Sequence, residues 1–128
     1  MGISIVEFEK AVRSLEEAIE LHDGAKSDSE RKAFRDAAIQ RFEFSIELSW
    51  KISMKVLGST TAAAKIAIRE MARNNLIDNP VAWIKFIEDR NETSHSYDEL
   101  VAQKVYSVIV DFLPHAKKLI LKLNENNK

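Results

Sequence analysis

Three glycines and two prolines are all that punctuate these 128 residues, and each long segment between them repeats its apolar side chains with a period near 3.6. A sheet needs frequent turns and alternation of period two, and this chain has neither. The pattern predicts an all-α fold: an up-and-down bundle of four to five helices in a single domain over 1–128. The hydrophobic fraction of 45% supplies a core, and the charged fraction of 30% supplies a solvated face.

Helix boundaries follow from the few start and stop signals. Ser4 with Glu7 reads as a capping box, leading into Ile5, Phe8, Val12, Leu15 and Ile19 and a first helix over 4–23, ended by Gly24. Ser29 is the expected cap of a second helix from about 30 to 57, stopped at Gly58. Phe34, Ala38, Phe42, Ile46, Leu48, Ile52 and Val56 cover a broad arc of it, against a narrow polar strip containing Gln40, Glu43, Glu47 and Lys51. So wide an arc calls for more than one neighbour, and a second copy of the chain is expected to cover part of it. Arg41 falls inside this arc; its stem packs while its head reaches water, or it pairs with a carboxylate at an interface. Ser59-Thr60-Thr61 is expected to cap a third helix to about residue 74. Pro80 opens a fourth helix, and Asp98 caps a fifth that runs to about residue 124, kinked at Pro114.

Between the fourth and fifth helices lies Arg90-Asn91-Glu92-Thr93-Ser94-His95-Ser96-Tyr97-Asp98, dense in reactive side chains for a protein with three histidines and two tyrosines. On an unbroken helix Arg90 and His95 point about 140° apart. They converge only if the helix ends between them or a second copy contributes, and Glu92-Thr93-Ser94 has the competing polar side chains to end it. A cation beside an imidazole provides the parts for phosphodiester chemistry on RNA, with Arg90 holding the phosphate, His95 exchanging a proton and the ribose 2′-hydroxyl as internal nucleophile. The same residues also fit a hydrogen-bonded helix junction and nothing more.

Several classes are disfavoured. There is no cysteine, so disulfides and thiolate metal sites are excluded, and a reducing cytoplasm is the compatible compartment. His22, His95 and His115 lack ligand spacing, so no metal is expected in this chain. No glycine-rich phosphate loop is present, and no nucleotide cofactor is expected. A formal charge of −1 gives no general attraction to nucleic acid, and DNA is not an expected partner. No apolar run approaches the length of a membrane span, and the first residues do not read as a secretory leader.

With these residues in view, the sequence resembles the small HEPN-fold family of nucleotidyltransferase substrate-binding proteins over nearly its whole length. The most specific match is the Arg90–Asp98 segment, which looks like that family's arginine-asparagine, four-residue spacing, His-X-Tyr signature. A second is Gln40-Arg41-Phe42-Glu43-Phe44 with Glu47-Leu48 and Trp50-Lys51.

The resemblance implies a subunit that pairs with a minimal nucleotidyltransferase and presents Tyr97, or a small substrate held near it, to that partner. The partner would bring the nucleotide and a divalent metal. It implies, as the alternative, a homodimeric ribonuclease toxin of a toxin-antitoxin pair. There Arg90 and His95 are catalytic, and adenylylation of Tyr97 neutralises the toxin. Asn91, Glu43, Glu47 and Arg41 are the supporting residues. A third reading is a dimerisation module carrying a remnant motif.

Overall fold

The computed structural model describes residues 4–126, and among them there are five α-helices and no strand. They are α1 (Val6–Asp23), α2 (Asp28–Leu57), α3 (Ala64–Arg73), α4 (Pro80–Asn91) and α5 (Glu99–Asn126), with a single 3-10 turn, Glu92–His95, between α4 and α5.

Contacts between helices fix their directions. Arg41 of α2 reaches Ser14 of α1. Lys117 of α5 pairs with Glu16 of α1, and Tyr106 packs on His22, so α1 and α5 run antiparallel. Arg35 meets Glu99 and Phe42 meets Phe112, so α2 and α5 run parallel. Asp78 pairs with Lys118 and Phe86 packs on Phe112, so α4 runs against α5. Helices α1, α2, α4 and α5 thus alternate up and down, as expected, and α3 bridges α2 and α4, with Lys65 and Glu88 paired at 3.6 Å.

The caps differ in detail from the expected ones. The Ser4–Glu7 box does not form: the helix starts after Ile5, and Ser4 Oγ accepts only a long 3.4 Å bond from the Val6 N–H. Ile5 is buried, so packing sets this end rather than side-chain capping. Helix α2 begins earlier than expected because Ser27, not Ser29, caps it, its Oγ accepting from the Glu30 N–H at 3.0 Å. The end is as expected. Gly58 takes the left-handed conformation at φ 71°, and the Ser59 N–H closes back on the Met54 carbonyl at 2.9 Å. The Ser59 and Thr61 hydroxyls accept from N–H groups two residues on and build a turn, so α3 starts only at Ala64. Pro80 starts α4 as the sequence predicts, and Asn79 caps it, its side chain accepting from the Ala82 N–H at 3.1 Å. Helix α5 continues through Pro114, which lies with Val110 on the exposed side where water can take the freed carbonyl.

The core is centred on Phe112. Its ring meets those of Phe42, Trp83 and Phe86 edge-on at 5.2, 5.5 and 5.3 Å, so three helices converge on one side chain. Along α2, Ser45, Ser49 and Ser53 are fully buried with each hydroxyl bonded to a carbonyl of its own helix. Their small volume lets neighbours approach closely at no cost in unsatisfied polar groups. Helix α2 touches α1, α3, α4 and α5 of the same chain. Its wide apolar arc is therefore largely used within one copy, and Phe44, at 65% exposure, is the large apolar side chain it leaves outside.

Candidate functional site

Helix α4 ends at Asn91, between Arg90 and His95, the first of the two routes to convergence that the spacing left open. The cause is local. Thr93, buried, turns its hydroxyl back to the Arg90 carbonyl at 2.7 Å, and Ser94 does the same to Asn91 at 3.4 Å. The chain tightens into the 3-10 turn, the Asp98 N–H bonds the His95 carbonyl at 3.1 Å, and Asp98 Oδ1 accepts from the Leu100 and Val101 N–H groups at 2.9 and 3.3 Å to start α5. Short polar side chains thus convert a helix into a corner at the chemically dense segment.

The corner separates the motif into two groups. His95 and Tyr97 lie on its exposed side, with ring centroids 6.3 Å apart and edge-on. Tyr97 is 87% exposed, so its hydroxyl is open to a bulky reagent. Arg90 is half-buried and turns the other way, toward α2. Its Nε stands 3.5 Å from Glu47 Oε1 and is buried without a hydrogen-bond partner. Charge, rather than a short directional bond, holds the guanidinium in place.

Glu43, Glu47, Phe44 and Lys51 line with Arg90 a groove of about 470 Å³ on the α2 surface. Lys51 pairs with Glu47 at 3.3 Å, one turn apart on the polar strip of α2. Two carboxylates face two cations here, so the groove is close to neutral. Of the expected supporting residues, Glu43 and Glu47 share this groove with Arg90, and Asn91 is exposed at the end of α4. Arg41 does not join them. Its stem packs and its head stays at the surface between α1 and α2, where among the described residues it meets no carboxylate but donates to the Ser14 carbonyl of α1 at 2.9 Å, on the far side of Phe44. A helix carbonyl has a second lone pair to offer, and the close α1 backbone takes the guanidinium first.

The sequence reading missed Arg35, a side chain that holds the corner from the outside. It is 9% exposed, and it donates through both terminal nitrogens to Glu99 at the first position of α5, at 2.7 and 3.1 Å. The signal was present: Arg35, Ala38, Ile39 and Phe42 share one face at i, i+3, i+4 and i+7, and an arginine on a core face needs a partner. Arg35, followed by Gln103, holds the Glu99 carboxyl below its ordinary value of 4.5. A depressed carboxylate contributes stability above its unfolded value and loses it as pH falls through the folded one. The midpoint of thermal unfolding is therefore expected to fall between about pH 6 and about pH 3, and Glu99→Gln to flatten that fall, in a calorimetric series. Asp78, lowered by Lys118, contributes in the same direction.

Residues 4–125 match the model of the family described as nucleotidyltransferase substrate binding protein like. A Haemophilus influenzae protein named probable ribonuclease HepT is 35% identical over 99 residues, covering 71% of this chain and 68% of that protein. A solved Haemophilus influenzae structure, described as revealing the fold of a substrate-binding domain of a nucleotidyltransferase, superposes with a TM-score of 0.78 at 29% identity, covering 94% of this chain and 99% of that one. A solved Thermus thermophilus structure gives 0.76 at 29% identity, over 91% and 98%. The five-helix bundle and its corner between α4 and α5 thus belong to a member of the HEPN-fold family of nucleotidyltransferase substrate-binding-like proteins.

Proposed function

We propose that this chain is a ribonuclease that acts as a homodimer, is paired with a minimal nucleotidyltransferase and is silenced by adenylylation of Tyr97. The observation that carries the reading is the corner itself: α4 stops between Arg90 and His95, which frees an imidazole and a phenol on one exposed turn while the arginine stays charged at the adjoining groove. The name of the 35%-identical relative, a probable ribonuclease, moves this reading ahead of the partner-subunit reading that the sequence alone places first.

The chemistry follows from the parts. Arg90 binds a non-bridging oxygen of the phosphodiester. His95 takes the proton of the ribose 2′-hydroxyl as that oxygen attacks phosphorus, and the 5′-oxygen leaves with a proton from an acid. The products are a 2′,3′-cyclic phosphate and a 5′-hydroxyl. Each motif has one histidine, so base and acid together call for two copies. Exposed Phe44 at the groove rim, with exposed Leu100 beyond the corner, offers apolar surface for such a contact. Adenylyl transfer from ATP to the Tyr97 hydroxyl, with pyrophosphate released, would set a nucleotide beside His95 and obstruct it. The test is growth of one host on inducing the chain or its His95→Ala form. Arrest by the first alone supports the reading, and equal growth with both folded proteins present overturns it.

The partner-subunit reading, which the family description favours, shares the exposed tyrosine. Incubation with the cognate transferase and ATP is expected to add one adenylyl mass per chain, and Tyr97→Phe to abolish it. The same added mass on the Phe variant would remove Tyr97 from the role.

A further inference from the structure

We infer that Arg35 and Glu99 are positioning residues for the His95–Tyr97 turn, fixing the start of α5 to α2 and thereby the place where the imidazole stands. The turn is poorly anchored on its α5 side. Residues 97–100 are all exposed, and the first fully buried side chain of α5 is Ala102. Asp98 caps its own helix, which orients α5 locally but ties it to nothing else. On the α4 side Thr93 is buried and bonded to Arg90, so one end of the turn is held by packing and the other is left to polar contacts.

Across that weak end run the two Arg35–Glu99 hydrogen bonds, 64 residues apart in sequence. Among the described residues no other side-chain hydrogen bond from 95–101 leaves its own neighbourhood. Arg35 suits the task because its stem is buried and its planar fork meets both carboxylate oxygens, which removes the swing that one point charge would allow. Gln103 donates to the same carboxylate at 3.3 Å and limits its rotation. Neither Arg35 nor Glu99 lies in the groove with Arg90, and neither is placed to touch RNA there. Their effect passes through the turn.

The consequence for turnover rests on the ribonuclease reading; the consequence for order in the turn does not. With the chain of residues 1–128, cleavage of an unstructured, end-labelled RNA of mixed sequence gives kcat and KM. Hydrogen exchange read over 92–101 gives the order of the turn. Glu99→Gln, at a half-exposed site that tolerates change, and Arg35→Met are each expected to lower kcat about tenfold with KM within about twofold. Exchange over 92–101 is expected to quicken about tenfold while α1 and α3 keep theirs. Arg35→Lys, retaining charge but not the fork, should fall between. Unchanged exchange at 92–101 in Glu99→Gln, or exchange that quickens equally throughout the chain, overturns the assignment. If the wild-type chain cleaves no RNA the ribonuclease reading fails, and the exchange pattern alone then supports or overturns the tether.

Discussion

Replacing His95 by Ala is expected to lower RNA cleavage about 10²–10⁴-fold, the usual contribution of a positioned general acid or base. Stability should hardly change, by about 0.5 kcal/mol at most, because the side chain is exposed on the 3-10 turn and packs on no core residue. The pairing of these two outcomes gives the experiment its force. A large loss of rate with an unmoved thermal midpoint assigns the effect to chemistry. A loss of both would instead make His95 a structural member of the corner, and an unchanged rate would remove it from the reaction. Rates from a labelled RNA under single-turnover conditions and a calorimetric scan of the same two proteins provide the comparison.

The second large effect lies in the core. Phe112 is fully buried and meets three aromatic rings from α2 and α4. Truncation to Ala removes the central knob where those helices converge, with an expected cost of about 3–5 kcal/mol. For a domain of this size that corresponds to a fall of roughly 10–20 °C in midpoint. Urea unfolding of the two proteins with a common m-value would measure it. A loss below about 1 kcal/mol would mean that the helices do not meet on this side chain. The functional corner shares the helix that carries Trp83 and Phe86, so this variant should also lose activity, though only in proportion to the unfolded fraction at the assay temperature.

Much of this architecture is legible in the sequence because helices declare themselves within a few residues. The apolar period, Gly58 and the Pro80 start are short-range signals, and the structure honours them. The starts of α1, α2 and α3 are harder to place: neighbouring hydroxyls compete for the helix end at α2 and α3, and the burial of Ile5 decides it at α1. The break between Arg90 and His95 is readable for the opposite reason, since Thr93 and Ser94 act on carbonyls three residues back.

Long-range polar pairing is harder to read. Arg41 stands out in the sequence because its position on the wheel is apolar, yet its partner is a backbone carbonyl, which leaves no trace in sequence. Arg35, on an equally apolar face, finds a carboxylate 64 residues away. Nothing local distinguishes the two arginines. The groove has the same character: Glu47 faces Arg90 only because α2 and α4 run antiparallel in one bundle. Periodicity predicts the bundle, but the choice of facing residues is made by the packing.

On the proposed ribonuclease reading, Arg90 and His95 cleave RNA through the ribose 2′-hydroxyl, and the ends left on a labelled RNA incubated with the purified chain test this. A 2′,3′-cyclic phosphate and a 5′-hydroxyl are expected, both missing when either Arg90 or His95 is replaced by Ala. Cleavage that leaves a 5′-phosphate, or cyclic-phosphate ends produced equally by the His95→Ala protein, would contradict it.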